Sequence, residues 1–253
     1  MPNSDAEAFC PRRLARIMGI LGLAGIVLGA FDIGYVHNTL IVAGDASATL
    51  HNILTHETLF RLGFSAHLLE LLINIPGEII FFILFRRVNG TVAGIALCSG
   101  VVGIATEAVS LLSAYVPVQL MIGGSGLGAF TTEQLQALSH ISGGLQVTGL
   151  LISFVFYGFD ELLSGFLIFR SGFLPRILGV LLGISGFCYA TNTFLSFVAP
   201  SLDARLNPYI LYACFPGEFL SSLWFATMGL NIAKWRAGTA QPQSEVPFGS
   251  RQG

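Results

Sequence analysis

Six stretches of this chain are about twenty residues or longer and overwhelmingly apolar: Ile17–Val36, Leu62–Phe85, Thr91–Tyr115, Leu145–Phe169, Ile177–Val198 and Tyr209–Ala233. A helix rises about 1.5 Å per residue, so about twenty residues cover the roughly 30 Å hydrocarbon core of a bilayer. Only 10% of the residues are charged, against about 25% in a soluble domain. The pattern predicts an all-α polytopic integral membrane protein with six transmembrane helices. Three segments follow: an N-terminal cytoplasmic segment (1–16), a transmembrane domain (17–236) and a polar, Pro-containing tail (237–253) expected to be disordered and cytoplasmic.

The basic residues orient the bundle. With the N-terminus inside, Arg12, Arg13, Arg16, Arg86, Arg87, Arg170, Arg176, Lys234, Arg236 and Arg251 fall on the inner side, and only Arg61 and Arg205 on the outer. Lysine and arginine accumulate on the cytoplasmic side, so both termini are expected there, in a plasma membrane. Arg12 to Arg16 before an apolar run resembles a secretory signal. However, Asp5 and Glu7 in the leader, and a run long enough to span, predict an uncleaved first helix. The bilayer is the expected partner; a homo-oligomer or an unidentified membrane-complex partner is compatible with the sequence. No basic patch of the kind nucleic acid requires is present.

The inner connections, RRVNG and RSGFLPR, are short and predict antiparallel helix pairs. In the first outer loop, Asp45 or Ser47 is placed to cap a short helix with Leu50, Ile53 and Leu54 on one face, and Thr55 to cap the next, beginning at Glu57. Glu57 and Arg61 are four apart in the order that favours an ion pair. In the second outer loop, Thr131 and Gln134 stand in capping-box register, predicting a short helix at the interface. The Gly-rich half of that loop lacks the lysine and strand context of a phosphate cradle. Gly25 and Gly29, and Gly179 and Gly183, are small pairs at four-residue spacing that let helices approach closely, most simply within the monomer. Cys10, Cys98, Cys188 and Cys214 form no CxxC pair and read as small, buried apolar residues rather than a disulfide framework or zinc knuckle.

Polar residues inside apolar helices bear on function. In the segment Glu57 to Arg87, Asn74 and Glu78 fall within roughly 20° of His67 at about 100° per residue, with Glu70 about 60° to one side. Asp32, Glu70, Glu78, Glu107, Asp160, Glu161 and Glu218 all lie within the predicted spans, and no lysine or arginine lies deep in any of them. A charge at the bilayer centre costs about 2.5 kcal/mol or more, so these groups are expected to face the bundle, share protons, bind a cation or reach water. Counting depth from the span ends puts Asp32, His67, Glu70 and Glu218 in the outer half, Glu107 and Asn192 near or just outside the midplane, and Glu78, Asp160 and Glu161 deeper toward the cytoplasm. An outward-facing polar pocket of His67, Glu70, Asn74, Glu107, Asn192 and Glu218 is therefore expected. Asp32, Glu78, Asp160 and Glu161 are secondary candidates. All five histidines (His37, His51, His56, His67 and His140) fall toward the outer side. Pro-Gly-Glu occurs at Pro76–Glu78 and Pro216–Glu218, where a helix break beside a carboxylate is expected.

GDASATLHNILTHETLFRLG (Gly44 to Gly63) and GFLIFRSGFLPRILGVLLG (Gly165 to Gly183) resemble the hallmark stretches of a prokaryotic family catalogued as domain-of-unknown-function family 4386. The similarity runs over nearly the whole chain, from about Pro11 to Trp235. The resemblance implies a six-span integral membrane protein. It brings no activity, cofactor or catalytic residue.

No reaction is named by a motif. GxSxG, HExxH and Asp-rich prenyl-transfer pairs are absent, as are haem ligands and a dinucleotide fold. No catalytic residue and no organic cofactor are assigned. A buried network that only aligns helices, a proton relay with coupled carboxylates, and a divalent-metal site at His67 and Glu70 all remain open. The preferred reading is a transporter-like or sensory protein binding a proton, cation or small polar solute. A membrane-embedded metal-dependent hydrolase and a non-catalytic subunit of a membrane complex are the alternatives.

Overall fold

The computed structural model describes residues 10–42, 45–116, 119 and 130–237. The Gly-rich half of the second outer loop, the leader acids and the tail beyond Ala237 lie outside the described residues. Every regular element among those described is helical: α1 (Pro11–Leu40), α2 (Ala46–Thr55), α3 (Glu57–Phe85), α4 (Gly90–Ala114), α5 (Thr132–Ser171), α6 (Arg176–Val198), α7 (Pro200–Thr227) and α8 (Ile232–Ala237). Five of these, α1, α3, α4, α5 and α6, are long and apolar enough to cross a membrane. The sixth long helix, α7, has 28 residues, but Asp203, Arg205 and Glu218 interrupt its apolar run.

Local chemistry sets the boundaries. Pro11 and Pro200 occupy first-turn positions, where the missing N–H is no loss. Asn89 caps α4 by accepting from Val92 N, and Asp45 caps α2 by accepting from Ala48 N. Thr131 and Gln134 make the reciprocal capping box of α5. Gly172 and Gly229 are the positive-φ residues among those described, and they end α5 and α7.

Three local expectations are corrected. No separate interfacial helix follows Thr131; the capping box opens a single 40-residue helix that runs through Gly143 and Gly144. Thr55 does not cap α3; it is the last residue of α2, with its hydroxyl bonded to His51 O, and His56 precedes Glu57. Neither Pro-Gly-Glu breaks its helix, since α3 is continuous through Pro76 and α7 through Pro216. A further feature is a π-helical stretch, Ala30–His37, within α1.

The six long helices close into a ring in the order α1, α3, α4, α5, α6, α7 and back to α1. Glycine notches bring the helices close. A Cβ on Gly186 would lie 2.5 Å from Gly158 O, and one on Gly165 2.6 Å from Gly179 O, so α5 and α6 touch at the backbone. One end of the ring carries an apolar core of Leu84, Phe85, Leu167, Ile168 and Trp235. There Arg12 Nε donates to Met228 O (3.3 Å) and Arg16 Nη2 to Thr227 O (3.1 Å), so the start of α1 meets the end of α7. Trp235 Nε1 donates to Leu84 O (3.1 Å) beneath the Arg87 guanidinium, 4.0 Å from the ring centroid. The outward surface is apolar, with Leu112 71%, Tyr212 74% and Val198 81% exposed. Polar side chains gather inside the ring, the reverse of a water-soluble protein.

Candidate functional site

The interior is built around α3. Gly63, His67 and Leu71 recur at four-residue spacing and form one buried face of that helix. Gly63 leaves the space that α1 fills, since a Cβ there would lie 2.6 Å from Asp32 Oδ1. Asp32, carried on the π-helical stretch, places Oδ2 2.7 Å from His67 Nδ1. On the other side of the ring, His67 Nε2 lies 3.0 Å from Glu107 Oε1 of α4. Tyr157 of α5 donates its hydroxyl hydrogen to Glu107 Oε2 at 2.7 Å, with its ring seated against Gly103, one turn before Glu107. Three other helices thus converge on the His67 imidazole of α3, α1 and α4 directly and α5 through Glu107.

The protons of this unit can be counted. Each contact of His67 with a carboxylate requires one hydrogen between the two atoms. Two such contacts hold two protons, and wherever each sits, the Asp32–His67–Glu107 unit carries one net negative charge. Such an arrangement can pass a proton from Asp32 through the ring to Glu107 without moving a heavy atom far.

Other acids extend the polar interior. Glu70 and Asn74 fill the notches left by Gly29 and Gly25: Cβ atoms there would lie 3.0 Å from Glu70 Oε2 and 3.3 Å from Asn74 Oδ1. That small-residue pair therefore packs the monomer. Glu70 is within electrostatic reach of His67, Glu107, Asp32 and Glu218. Glu78 sits against Gly100 and beside Asp160, which accepts from Ser164 Oγ at 3.3 Å. Glu218 accepts from Tyr189 at 2.5 Å and lies beside Glu161. Asn192 Oδ1 accepts from Asn207 Nδ2 at 2.9 Å, between α6 and α7.

A cavity of about 400 Å³ reaches this interior from the end opposite the arginine-rich one. Asp32, His37, Asp45, Phe60, Leu111 and His140 contribute to its wall. The Asp32 side chain is 18% exposed, Glu107 11% and His67 3%. The cavity therefore meets the relay at Asp32 first. Among the described residues, no group of three or more His, Cys, Asp or Glu side chains is disposed to hold a metal ion. His67, with a carboxylate on each ring nitrogen, has no lone pair facing open space.

Of the residues predicted for one pocket, His67 and Glu107 are in direct contact and Glu70 is close by. Glu218 belongs with Glu161, Glu78 with Asp160, and Asn192 with Asn207. Asp32, a secondary candidate, is the direct partner of His67. Sequence reasoning left out Tyr157, Tyr189, Ser185 and Asn207. Part of that signal was there: Tyr157, Asp160, Glu161 and Ser164 recur at helical spacing along one face of α5.

The sequence model of a family described as "Domain of unknown function (DUF4386)" matches residues 17–229. A curated protein of Archaeoglobus fulgidus, titled "Uncharacterized protein", is 28% identical over 83 residues, covering 33% of this chain and 48% of that protein. The matched part of the chain thus spans about half the length of this curated relative. No solved structure matches the chain.

Proposed function

The chain belongs to the family described as Domain of unknown function (DUF4386), a description that assigns no activity, and we propose that it is a multi-pass plasma-membrane protein of transporter or sensor type that exchanges a proton through the Asp32–His67–Glu107–Tyr157 relay. One observation carries this reading. A buried imidazole is clamped between two carboxylates, and the outer carboxylate lines an open cavity. Ionisable groups within membrane helices characteristically mark ion pathways and proton relays. Seven carboxylates lie within the predicted spans, with His67 between two of them and His37 and His140 on the cavity wall.

Six crossings accompany this proposal, α7 being the sixth. Its 28 residues extend about 42 Å, and its end lies beside the start of α1. Both termini then share the cytoplasmic side, and the cavity opens outward.

The test is proton uptake into proteoliposomes, followed with an enclosed pH-sensitive dye under an imposed potential. Wild type should take up protons. Asp32→Asn and His67→Gln should each lower the rate at least tenfold. Glu57→Gln, at the exposed pair with Arg61, should leave it unchanged. Equal rates in wild type, Asp32→Asn and protein-free vesicles would sink the proposal.

A further inference from the structure

A second polar centre lies between α5, α6 and α7, away from His67. Gly186 and Gly217 shape it. A Cβ on Gly186 would lie 2.9 Å from Glu161 Cβ, and one on Gly217 3.0 Å from Ser185 Cβ. Ser185 is therefore wedged between the helix that carries Glu161 and the helix that carries Glu218, and it neighbours both carboxylates. Tyr189, one turn further along α6, donates to Glu218 Oε1. Ser221, one turn beyond Glu218 on α7, is on the same face and buried.

Glu161 Oε2, Ser185 Oγ and Ser221 Oγ are buried without a hydrogen bond of good geometry, although Ser185 stands close enough to both carboxylates to interact with each. Ser185 is 0% and Ser221 5% exposed. Buried polar atoms are nearly always paired, and each one left alone is costly. Glu161 Oε2 and Ser185 Oγ adjoin Glu218, with Ser221 on the same face of α7, and under-bonded oxygens beside two carboxylates mark a place where something bonds to oxygen. The side chains around it are acidic, hydroxylic or thiol: Asp160 and Cys214 are the further neighbours of Glu161 and Glu218. No basic side chain is among them.

We infer that Glu161, Glu218, Ser185 and Ser221 form a binding site for a hard monovalent cation, with Na⁺ as its natural test ion. The donor set is all oxygen, which suits hard cations and not the softer metals that take imidazole or thiolate. A monovalent ion is favoured because the cost of bringing an ion into a low-dielectric interior grows with the square of its charge. The site is separate from the His67 relay and does not depend on the relay moving protons. Glu70 is within electrostatic reach of both His67 and Glu218.

The experiment is calorimetric titration of the purified full-length protein in detergent with NaCl, choline chloride holding the ionic strength constant. Wild type should bind Na⁺ saturably at one site per chain. Glu218→Gln and Glu161→Gln should abolish the binding. Ser185→Ala, the smaller change, should weaken it about tenfold, as loss of one ligand does. Asp32→Asn, which cuts the relay, should still bind Na⁺, so a failed relay and a failed cation site are told apart. Absence of saturable binding by folded wild type, unchanged affinity in Ser185→Ala, or loss of binding in Asp32→Asn would each overturn the inference.

Discussion

With Asp32 on Nδ1 and Glu107 on Nε2, the His67 ring is fixed from both sides. Glu107 depends in turn on Tyr157, whose hydroxyl meets its second oxygen. Tyr157→Phe keeps the ring against Gly103 and removes only that donor. A buried acceptor left unpaired costs about 1–3 kcal/mol, and thermal unfolding in detergent should show a lowered midpoint. His67→Ala should cost more, about 3–5 kcal/mol, because two carboxylates then face each other across a gap. Equal midpoints for wild type and Tyr157→Phe would mean that the hydroxyl contributes nothing. That His67 points inward was legible from its stripe on α3. Which residues meet it was not, because the periodicity of one helix carries no information about the register of its neighbours. Tyr157 was hidden for a further reason: a tyrosine in an apolar run is also what the membrane–water interface selects.

At the scale of the element, the starts of α2 and α5 were readable, while the start of α3 and the continuity of α5 were not. Asp45, Asn89 and Thr131 cap as their side-chain chemistry dictates. Gly143–Gly144 lies between the predicted short helix and the span from Leu145, yet glycine in a helix costs only about 1 kcal/mol, and neither residue adopts positive φ. The glycines that do end helices, Gly172 and Gly229, have φ of 69° and 65°. Pro76 and Pro216 each remove one backbone donor, and the surrounding turns hold the helix together. Two substitutions separate these roles. Gly144→Ala, where an added Cβ meets nothing within 4 Å, should stabilise by up to about 1 kcal/mol if α5 is unbroken there. Gly186→Val, where the first added carbon already lies 2.5 Å from Gly158 O, should destabilise by about 1–3 kcal/mol. A neutral Gly186→Val would show that α5 and α6 do not touch at that point. The π-helical stretch bearing Asp32 has no sequence signature, since its residues read as ordinary α-helix.

At the scale of the molecule, apolar length and arginine placement anticipated the long helices and the gathering of basic groups at one end. They said nothing of the ring order, which depends on glycine notches matched between helices distant in sequence. Parity supplies a test. Six crossings bring both chain ends to one side, whereas five would separate them. A fluorescent reporter fused after Ala237 should fold and glow in the cytoplasm, and a phosphatase active only outside should stay silent at the same site. The opposite pair of results would remove α7 from the membrane and leave five crossings.

The 40 residues of α5 make an unbroken rod of about 60 Å, roughly twice the thickness of a bilayer's oily layer. Its capped tip, where Gln136 reaches Ser47 of α2, and its middle, where Tyr157 and Asp160 sit, belong to one stiff body. Whatever grips the tip therefore acts as a tiller, turning leverage at the surface into torque on the acids buried below.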